Sequence, residues 1–329
     1  GHEAVLTAAG MAMRPAHDYF MSYYRDRALM TQLGMTATEV LLAAVGSTED
    51  VTSAGRQMPC HWGHKALNVI SKSSCTGTQF LQGVGAAEAS WYRERVDEVQ
   101  HLIDGSGDEV MLVTTGDGTT SEGEFFEALN TASNKKLPII FLVEDNGYAI
   151  SVPVEVQTSG GSISNLVKGY PDLKVIQNVD GCDIEESYLA FSEAVALCRE
   201  RKGPALIHAH VVRPYSHSMS DDETNYRPSS ERESDAQRDP LKVTKSMLLD
   251  RGICTEEELV ALEASVDEEI EAATRAALNA PIPAVQDVLK FIYAEDNDPT
   301  SSAFDSPPVY TEDETNNKTM VDLINACLR

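Results

Sequence analysis

The alternation of apolar and polar runs predicts a helical N-terminal part followed by strand-helix-strand units. From residue 5 to about residue 45 the apolar positions follow a mostly helical spacing, interrupted at Arg14-Pro15 and at Gly34. Residues 68–90 predict a short strand, a small-residue loop and a helix. The centre then alternates in the order strand 109–115, helix 121–135, strand 138–143, strand 174–179, helix 184–200 and strand 205–212. This order predicts an α/β fold with a parallel sheet flanked by helices.

Local signals mark the boundaries of several elements. Ser121 and Glu124 form an S-x-x-E capping box, which predicts the start of the first central helix. Residues 214–240, here called the polar loop, form a long polar segment without apolar periodicity. Such segments inside a compact domain are usually functional or disordered. Beyond it, helices are predicted at 241–251 and 255–279.

Composition and charge narrow the class of protein. The chain has 329 residues, with 42% hydrophobic and 24% charged residues, which is ordinary for a soluble globular enzyme. Its formal net charge of −26 argues against nucleic-acid or anionic membrane partners. The 6 cysteines contain no C-x-x-C pair, so buried, reduced thiols are predicted. No apolar run approaches the roughly 20 residues that cross a bilayer. We expect a soluble protein in the cytoplasm, or in the mitochondrial matrix if a targeting segment was removed.

Polar residues stand where two neighbouring strands are predicted to end. Gly116, Asp117 and Gly118 follow the first strand, and Asn146 follows the second. The carboxyl ends of parallel strands meet at one edge of a sheet, so the two polar side chains can converge on a hard cation such as Mg²⁺. The glycines let a phosphate approach the backbone beside a helix N-terminus. The pattern predicts a diphosphate bound with Mg²⁺, although Gly-Asp-Gly alone is also an ordinary turn.

The residues around this pattern resemble a known family. GDGTTSEGEFFEALNTASNKKLP and DNGYAIS resemble the alpha subunit of the thiamine diphosphate-dependent dehydrogenase component of 2-oxo acid dehydrogenase complexes, and the likeness extends over nearly the whole chain. The resemblance implies a thiamine diphosphate-binding fold and a Mg²⁺ ion held by Asp117, Asn146 and the main-chain carbonyl of Tyr148. One departure is Asp145, where the family commonly has asparagine, and the role of this carboxylate stays open.

Two further segments resemble cofactor-binding stretches of the same family. YYRDRALMTQLGMT resembles its diphosphate clamp, which implies Tyr24 and Arg25, although an arginine on a helix is more often merely solvated. MPCHWGHKALNVISKSSCTGTQ resembles the stretch that meets the aminopyrimidine ring, which implies Ser74 and Thr76. Some relatives bind a monovalent cation nearby, and hydrogen bonding within the loop is the alternative interpretation. The positions that match that cation site are Ser73, Thr78 and Gln79.

The histidines near the polar loop fall into two groups. RPYSHSMSDDETNYR resembles the family's mobile loop, whose histidine beside the reactive carbon of the cofactor maps to His217, the expected catalytic residue. Its polar surroundings fit a segment ordered by a ligand. Ser218 matches a position phosphorylated in some eukaryotic relatives, and a solvated serine is the alternative. His208 and His210 alternate with apolar residues in a predicted strand, so packing roles are predicted for them.

The resemblance implies oxidative decarboxylation of a 2-oxo acid, with transfer of the acyl unit to a lipoyl group of the complex's acyltransferase. His217 is expected to stabilise developing charge or to act as an acid or base, because histidine titrates near neutral pH. The carboxylate that activates the aminopyrimidine belongs to the beta subunit of the family. A beta partner is therefore expected, in a heterotetramer or a dimer of fused chains. MPCHWG and HSMSDD favour branched-chain substrates. A pyruvate or acetoin dehydrogenase component and a transketolase-like transferase are the alternatives.

The tail predicts a change of domain. Residues 1–294 are predicted to form the alpha-type thiamine diphosphate-binding domain, and residues 295–317 an acidic linker rich in Pro and Ser. KTMVDLINACLR, at 318–329, resembles the opening helix of the beta subunit. This likeness predicts an alpha-beta fusion, and an ordinary C-terminal helix is the alternative.

Two other classes of protein are less well supported. A scaffold that binds only a partner would have no reason to keep Asp117, Asn146, Arg25 and His217 together. A dinucleotide-binding protein is disfavoured because no G-x-G-x-x-G follows a strand with an acid about twenty residues on. GVGAAEA lies within a predicted helix, where its small residues predict close packing.

Overall fold

The computed structural model describes residues 1–96, 107–290, 292, 296, 298, 300–305 and 319–327. The chain divides into two units, Gly1–Pro283 and Ala284–Arg329. In chain order, the helices and strands of the first unit are α1 (Glu3–Ala12), β1 (Tyr19–Met21), α2 (Arg27–Leu33), α3 (Ala37–Val45), α4 (Thr78–Arg93), β2 (Met111–Gly116), α5 (Gly123–Lys135), β3 (Ile139–Asp145), β4 (Tyr148–Ala149), β5 (Val152–Pro153), α6 (Val154–Gln157), α7 (Ile163–Leu166), β6 (Lys174–Asp180), α8 (Ile184–Arg199), β7 (Ala205–His210), α9 (Ser229–Gln237), α10 (Pro240–Asp250) and α11 (Glu256–Leu278).

The second unit contains α12 (Met320–Cys327), so the helix predicted near the end of the chain is confirmed. The linker predicted at 295–317 falls largely outside the described residues. The proposed kinship of the last helix to a beta subunit stays a prediction. Within the described part of the chain, no helix combines the length and the apolar character needed to cross a membrane.

A parallel five-stranded sheet in the order β1-β2-β3-β7-β6 organises the first unit. The units β2-α5-β3 and β6-α8-β7 are the two crossovers that the central pattern predicts. β4 and β5 form a small separate antiparallel pair. The predicted α/β class, with helices flanking a parallel sheet, is confirmed.

Both faces of the central strands are buried by helices. Leu112, Ile140 and Ile207 pack on one face in a cluster with α1, α2 and α8. Val113 and Phe141 point to the other face, in a cluster with α4 and α5. This double burial explains why the strands read as continuous apolar runs rather than alternating ones. Polar side chains of the central strands are therefore concentrated at the strand ends.

Gly83 sets the approach of α4 to the sheet. A Cβ atom at this position would lie 2.2 Å from Cγ2 of Val113 and 3.2 Å from Cδ1 of Ile139. A side chain here would push the helix away from β2 and β3. The close packing predicted for GVGAAEA is confirmed.

The predicted capping box at Ser121 and Glu124 is wrong. Asp117–Ser121 forms a 3-10 turn, and α5 begins only at Gly123. The residue before it, Glu122, makes no side-chain capping hydrogen bond. The helix predicted from 121 therefore starts two residues later.

The extra turn has a local cause. Thr120 Oγ1 donates to the carbonyl oxygen of Asp117 at 2.7 Å, which fixes the chain as it leaves β2. This turn forms in place of the capping box that Ser121 and Glu124 would make on their own. The same pattern does form capping boxes at Thr36 and Thr255, where no buried strand ends immediately before the helix.

Short and polar elements were predicted least well. β1 interrupts the helical N-terminal region because Phe20 pairs with Leu112 of β2. The sequence did not predict this strand, since three residues are too few to show a hydrophobic period. The strand predicted near residue 68 is wrong: Val69 makes only isolated bridges. α9 forms inside the polar loop without an apolar stripe. Ion pairs from Arg227 to Glu231 and Asp235 hold it instead.

The prediction of buried thiols holds only in part. Cys182 and Cys198 are buried, and burial raises the pKa of Cys198 to about 12. Cys75 is exposed, whereas Cys60 and Cys254 are half-buried. All five are free thiols. The side chain of Cys327 lies outside the described residues.

A buried ion pair closes the amino edge of the sheet. Asp18, which is fully buried, accepts hydrogen bonds from Arg199 Nη1 at 2.9 Å and Nη2 at 2.7 Å. It also accepts from the backbone N–H groups of Arg14 (2.7 Å) and Val110 (2.9 Å). The carboxylate thus joins the end of α8 to the starts of β1 and β2.

Replacing Asp18 with Asn should lower the free energy of unfolding by about 3 kcal/mol, because the guanidinium of Arg199 loses its bidentate carboxylate. Urea unfolding followed by circular dichroism measures the change. Glu193→Gln is a matched control that removes a carboxylate from an exposed pair with Lys174. It should change stability by less than about 0.5 kcal/mol. A loss below about 1 kcal/mol for Asp18→Asn would contradict the assigned role.

Candidate active site

The candidate site forms where β2 and β3 end at the carboxyl edge of the sheet. Their register places Gly116 opposite Glu144, so Asp117 and Asp145 follow on adjacent strands. Asp117 is 1% exposed and Asn146 is 9% exposed. The backbone N–H of Asn146 lies near enough to the carboxylate of Asp117 to lower its pKa. The structure thus brings together the two residues that the sequence predicts as ligands of one cation.

The environment of Asp117 fits a divalent cation. Burial raises the pKa of Asp117 to about 7, and the charge of Asp145 adds to the rise. The backbone N–H groups of Asp117 and Asn146 and the charge of Arg213 oppose this rise without cancelling it. Gln157 Nε2, which the sequence did not predict, donates to Asp117 Oδ2 at 3.3 Å. A nearby cation would stabilise the ionised carboxylate here.

A tight turn follows β3 and presents Asn146. Gly147 has a φ of +83°, which glycine adopts without strain. Its N–H donates to Asp145 Oδ1 at 2.8 Å, and the N–H of Tyr148 donates to Asn146 Oδ1 at 3.3 Å. The turn is therefore fixed by its own side chains. The carbonyl of Tyr148 as a third metal ligand stays a prediction.

Asp145, whose role the sequence left open, ties this turn to β7. Its Oδ2 lies 2.8 Å from Nε2 of His208, which is 2% exposed. Burial raises the pKa of Asp145, but the hydrogen bonds from His208 and Gly147 outweigh burial and hold the pKa below its ordinary value. Asp145 is therefore ionised, and His208 does more than pack.

Gly116 and Gly118 are required by close approaches rather than by backbone freedom. A Cβ atom at Gly116 would lie 2.8 Å from the hydroxyl oxygen of Tyr23, and one at Gly118 would lie 2.7 Å from Cβ of Ala149. Both distances are shorter than ordinary contacts. The strand end is thus enclosed by the segment after β1 on one side and by the turn after β3 on the other.

Tyr24, Arg25 and His217 form a second group beside this edge. Arg25 Nη2 donates to His217 Nδ1 at 3.3 Å, and the guanidinium lies 5.1 Å from the centre of the Tyr24 ring. The rings of Tyr24 and His217 meet edge-on at 6.5 Å. Among the described residues, the buried Nε of Arg25 has no hydrogen-bond partner. A buried guanidinium with an unused donor fits a phosphate group.

Electrostatics keep His217 neutral. Burial, followed by the charges of Arg25 and Arg213, lowers its pKa below the ordinary 6.5, and Asp221 opposes this only in part. Because arginine only donates, His217 Nδ1 accepts the bond and Nε2 carries the proton. Ser218, next along the chain, is exposed and lies 3.2 Å from Ser220 Oγ.

The polar loop is attached to the turn that carries Asn146. The Tyr148 hydroxyl donates to Glu231 at 3.0 Å, and Arg213 Nη1 donates to the carbonyl of Ile150 at 2.8 Å. Arg227, whose side chain is 1% exposed, stacks over the Tyr148 ring at 5.4 Å. The position of the loop is therefore coupled to the position of the turn.

The segment expected to meet the aminopyrimidine lies against the 3-10 turn after Asp117. A Cβ atom at Gly77 would lie 3.3 Å from Cγ of Glu122. Ser74 Oγ lies 2.8 Å from His61 Nε2, and Thr76 is exposed. Among the residues that match a monovalent-cation site, Ser73 and Thr78 make local hydrogen bonds, as the alternative interpretation expects, whereas Gln79 bonds to β2; the cation site stays a prediction. These bonds join Ser73 Oγ to Cys75 N (3.2 Å), Thr78 Oγ1 to Cys75 O (2.9 Å) and Gln79 Nε2 to Thr114 O (3.3 Å).

Sequence reasoning missed a buried acidic pair beneath the clamp. Asp26 accepts hydrogen bonds from the N–H of Tyr23 at 2.7 Å and from Thr114 Oγ1. Glu144 Oε2 lies 2.6 Å from His2 Nδ1. Burial raises the pKa of Asp26 to about 7, and burial together with the charge of Asp26 raises that of Glu144 well above its ordinary value. Both carboxyl groups therefore bind a proton more readily than exposed carboxyl groups do. The sequence did offer a signal for this pair, because Glu144 directly follows the apolar run of β3, where a buried acid can be expected.

Comparison with known proteins identifies the family. Residues 1–286 match the family described as "Dehydrogenase E1 component". The chain belongs to the dehydrogenase E1 component family. Membership implies dependence on thiamine diphosphate, and it confirms the thiamine diphosphate-binding fold expected from the resemblance.

Relatives of this E1 chain carry related names. It is 35% identical to the 2-oxoisovalerate dehydrogenase subunit alpha of Bacillus subtilis (strain 168), over 90% of this chain and 85% of the relative. It is 33% identical to the 3-methyl-2-oxobutanoate dehydrogenase subunit alpha of Mycobacterium tuberculosis (strain CDC 1551 / Oshkosh), over 90% and 74%. It is 31% identical to the mitochondrial pyruvate dehydrogenase E1 component subunit alpha of Dictyostelium discoideum, over 90% and 74%.

The glycine after Asp117 provides a test of the site geometry. Gly118→Ala should reduce the affinity for thiamine diphosphate by roughly tenfold or more and destabilise the protein by about 1–3 kcal/mol, because the new Cβ overlaps Ala149. Gly123→Ala is the matched control, since a Cβ there has nothing within 4 Å. Calorimetry and urea unfolding measure both effects. Equal behaviour of the two variants would show that Gly118 is not constrained by space.

Proposed function

We propose that this chain is the alpha part of a dehydrogenase that oxidatively decarboxylates branched-chain 2-oxo acids and transfers the acyl unit to a lipoyl group. The observation that carries the proposal is the buried Asp117 beside Asn146, with the unused donor of Arg25 at the same edge of the sheet. The substrate class is supported by the relatives named for 2-oxoisovalerate and 3-methyl-2-oxobutanoate.

The residues of the site would divide the work of holding the cofactor. Asp117, Asn146 and the carbonyl of Tyr148 would hold Mg²⁺, which in turn anchors the diphosphate. Arg25, with Tyr24 stacked beside it, would neutralise the diphosphate. When bound, thiamine diphosphate supplies the electron sink that decarboxylation requires. Gly116 and Gly118 would let Tyr23 and Ala149 pack closely against the strand end beside the bound diphosphate. Ser74 and Thr76 would meet the aminopyrimidine ring, and a monovalent cation is proposed nearby at Ser73, Thr78 and Gln79.

His217 is the proposed catalytic residue of this chain. Arg25 occupies Nδ1, so the proton sits on Nε2. A neutral imidazole with a fixed Nε2–H donor stabilises negative charge that develops on the substrate oxygen. The hydrogen bond from the N–H of His217 to Asp221 at 2.7 Å holds the backbone in place for this role.

Two groups that the proposed reaction needs, a carboxylate and a lipoyl group, are assigned to partners of this chain. The carboxylate that activates the aminopyrimidine is assigned to a beta subunit or a fused beta domain. The lipoyl group is assigned to the acyltransferase of the complex. A heterotetramer or a dimer of fused chains is the expected assembly. The net charge of −26 supports partners other than nucleic acid or anionic membranes.

Pyruvate is the second candidate substrate. The Dictyostelium discoideum relative at 31% identity carries the name of a pyruvate dehydrogenase component. Its identity to this chain is close to that of the branched-chain relatives, so fold and cofactor site support both substrates equally. The difference must lie in the substrate pocket, part of which is assigned to the beta partner.

The cofactor site is tested by calorimetric titration of thiamine diphosphate into the chain assembled with its beta partner. Binding should require Mg²⁺, and Asp117→Ala or EDTA should weaken it by roughly 100-fold, because the diphosphate loses its anchored cation. Glu193→Gln removes an exposed carboxylate and should bind as the unmodified protein does. Full affinity in Asp117→Ala would remove the metal assignment. A folded assembly that binds no cofactor would overturn the enzymatic proposal.

The same assembly compares substrates, using a lipoyl acceptor. The kcat/KM for 3-methyl-2-oxobutanoate should exceed that for pyruvate by roughly tenfold or more, because each methylene group in an apolar pocket contributes about 1–3 kcal/mol. The reverse order would favour the pyruvate alternative.

The pH dependence of kcat/KM tests the neutral form of His217. Because its pKa lies below 6.5, the imidazole is neutral at pH 7, and protonation removes the active form only as the pH falls further. The His217-dependent part of kcat/KM should therefore be flat near pH 7 and fall by roughly tenfold per pH unit below the lowered pKa. His217→Asn should lose this acid limb together with most of the activity. An acid limb centred above pH 7 that is specific to His217 would contradict the assignment.

A further inference from the structure

Three metal-binding side chains meet on one face of the sheet where β3 and β7 end. They are Asp145, His208 and His210, here called the strand-end triad. Asp145 pairs directly with His210 in the register of the two strands. His208 lies two residues earlier on β7, so its side chain points to the same face as that of His210. The ligand atoms of the three residues all lie within 4.8 Å of one another.

The distances within the triad suit one small ion. Asp145 Oδ2 lies 2.8 Å from His208 Nε2 and 3.8 Å from His210 Nδ1, and the centres of the two imidazole rings are 4.6 Å apart. Ligand atoms bound tetrahedrally to Zn²⁺, at about 2.0–2.1 Å from the ion, lie about 3.3 Å from each other. The two observed oxygen–nitrogen distances bracket this value. Changes in the side-chain dihedral angles would bring the two oxygen–nitrogen pairs to this value, and the two imidazole nitrogens would approach each other from within 4.8 Å.

Burial and charge favour a ligand at this place. Asp145 is 5% exposed, and its Oδ2 faces both imidazoles. His208 is buried, and its Nε2 faces the carboxylate of Asp145. The side chain of His210 is 43% exposed, which leaves solvent access and room for a water ligand. The charged groups beside His210 are Arg238 and Asp180, which pair with each other at 2.8 Å.

We propose that the strand-end triad binds a first-row transition-metal ion such as Zn²⁺, at a position separate from the Mg²⁺ site of Asp117 and Asn146. Two imidazoles and one carboxylate favour Zn²⁺ and its neighbours, whereas Mg²⁺ takes oxygen ligands. Three protein ligands leave one position for water or another small ligand. Because Asp145 also holds Gly147, a bound ion fastens β7 to the turn that presents Asn146.

Titration with Co²⁺, a visible reporter of zinc sites, tests the proposal. The assembled protein, freed of Mg²⁺ and thiamine diphosphate, should bind one Co²⁺ ion per chain and show the absorption of a tetrahedral site with nitrogen ligands. His210→Gln and His208→Gln should each weaken Co²⁺ binding by roughly tenfold or more. His210 is half-exposed, so its substitution leaves the core intact. Circular dichroism of each variant verifies folding.

Two controls separate this site from others. His64→Gln removes a histidine that also faces a carboxylate, Glu39 at 3.5 Å, and Co²⁺ binding should be unchanged. Asp117→Ala should also keep Co²⁺ binding, so a failure of the proposed cofactor site is distinguishable from a failure of this one. The proposal is overturned if no Co²⁺ absorption develops. It is equally overturned if the absorption survives in His210→Gln or disappears in Asp117→Ala alone.

Discussion

Burial of the Asp117 carboxylate at the carboxyl edge of a doubly covered sheet is the constraint on which the candidate site depends. Helices cover both faces of β2 and β3, so the acid meets few compensating groups. Its pKa of about 7 reflects the energetic cost of burying the ionised carboxylate, and a bound cation would offset that cost. The same confinement explains Gly116 and Gly118, because a Cβ atom at either position would collide with Tyr23 or Ala149. Close packing at this edge of the sheet thus accounts both for the two glycines and for the raised pKa of Asp117.

The elements around Asp117 are linked to one another rather than placed independently. Tyr148 contributes its backbone to the turn after β3, while its ring and hydroxyl contact Arg227 and Glu231 of the polar loop. His217, on that loop, is held from the other side by Arg25, which follows β1. His217 is therefore positioned by segments that follow the ends of three strands, β1, β3 and β7. A loop connected in this way is coupled in position to the turn that carries Asn146.

Asp145 separates two kinds of chemistry at this edge. Oxygen atoms from Asp117 and Asn146 suit a hard ion, whereas the imidazoles of His208 and His210 suit a softer one. Asp145 lies between the two sets and contributes to both environments, since its charge raises the pKa of Asp117. Its hydrogen bond to Gly147 keeps the turn in place, so a change at β7 reaches Asn146 through a single side chain.

Long periodic elements and the strand-end residues were determined by the sequence itself. The β2-α5-β3 and β6-α8-β7 units, the covered sheet, and the placing of Asp117 and Asn146 at adjacent strand ends follow from apolar runs and turn residues, because these patterns act over neighbouring residues. Only the tertiary structure decided β1, the pairing of Asp145 with His208 and the raised pKa of Glu144. Each depends on contacts between residues far apart in the chain, and burial there outweighs the local preference that the sequence displays.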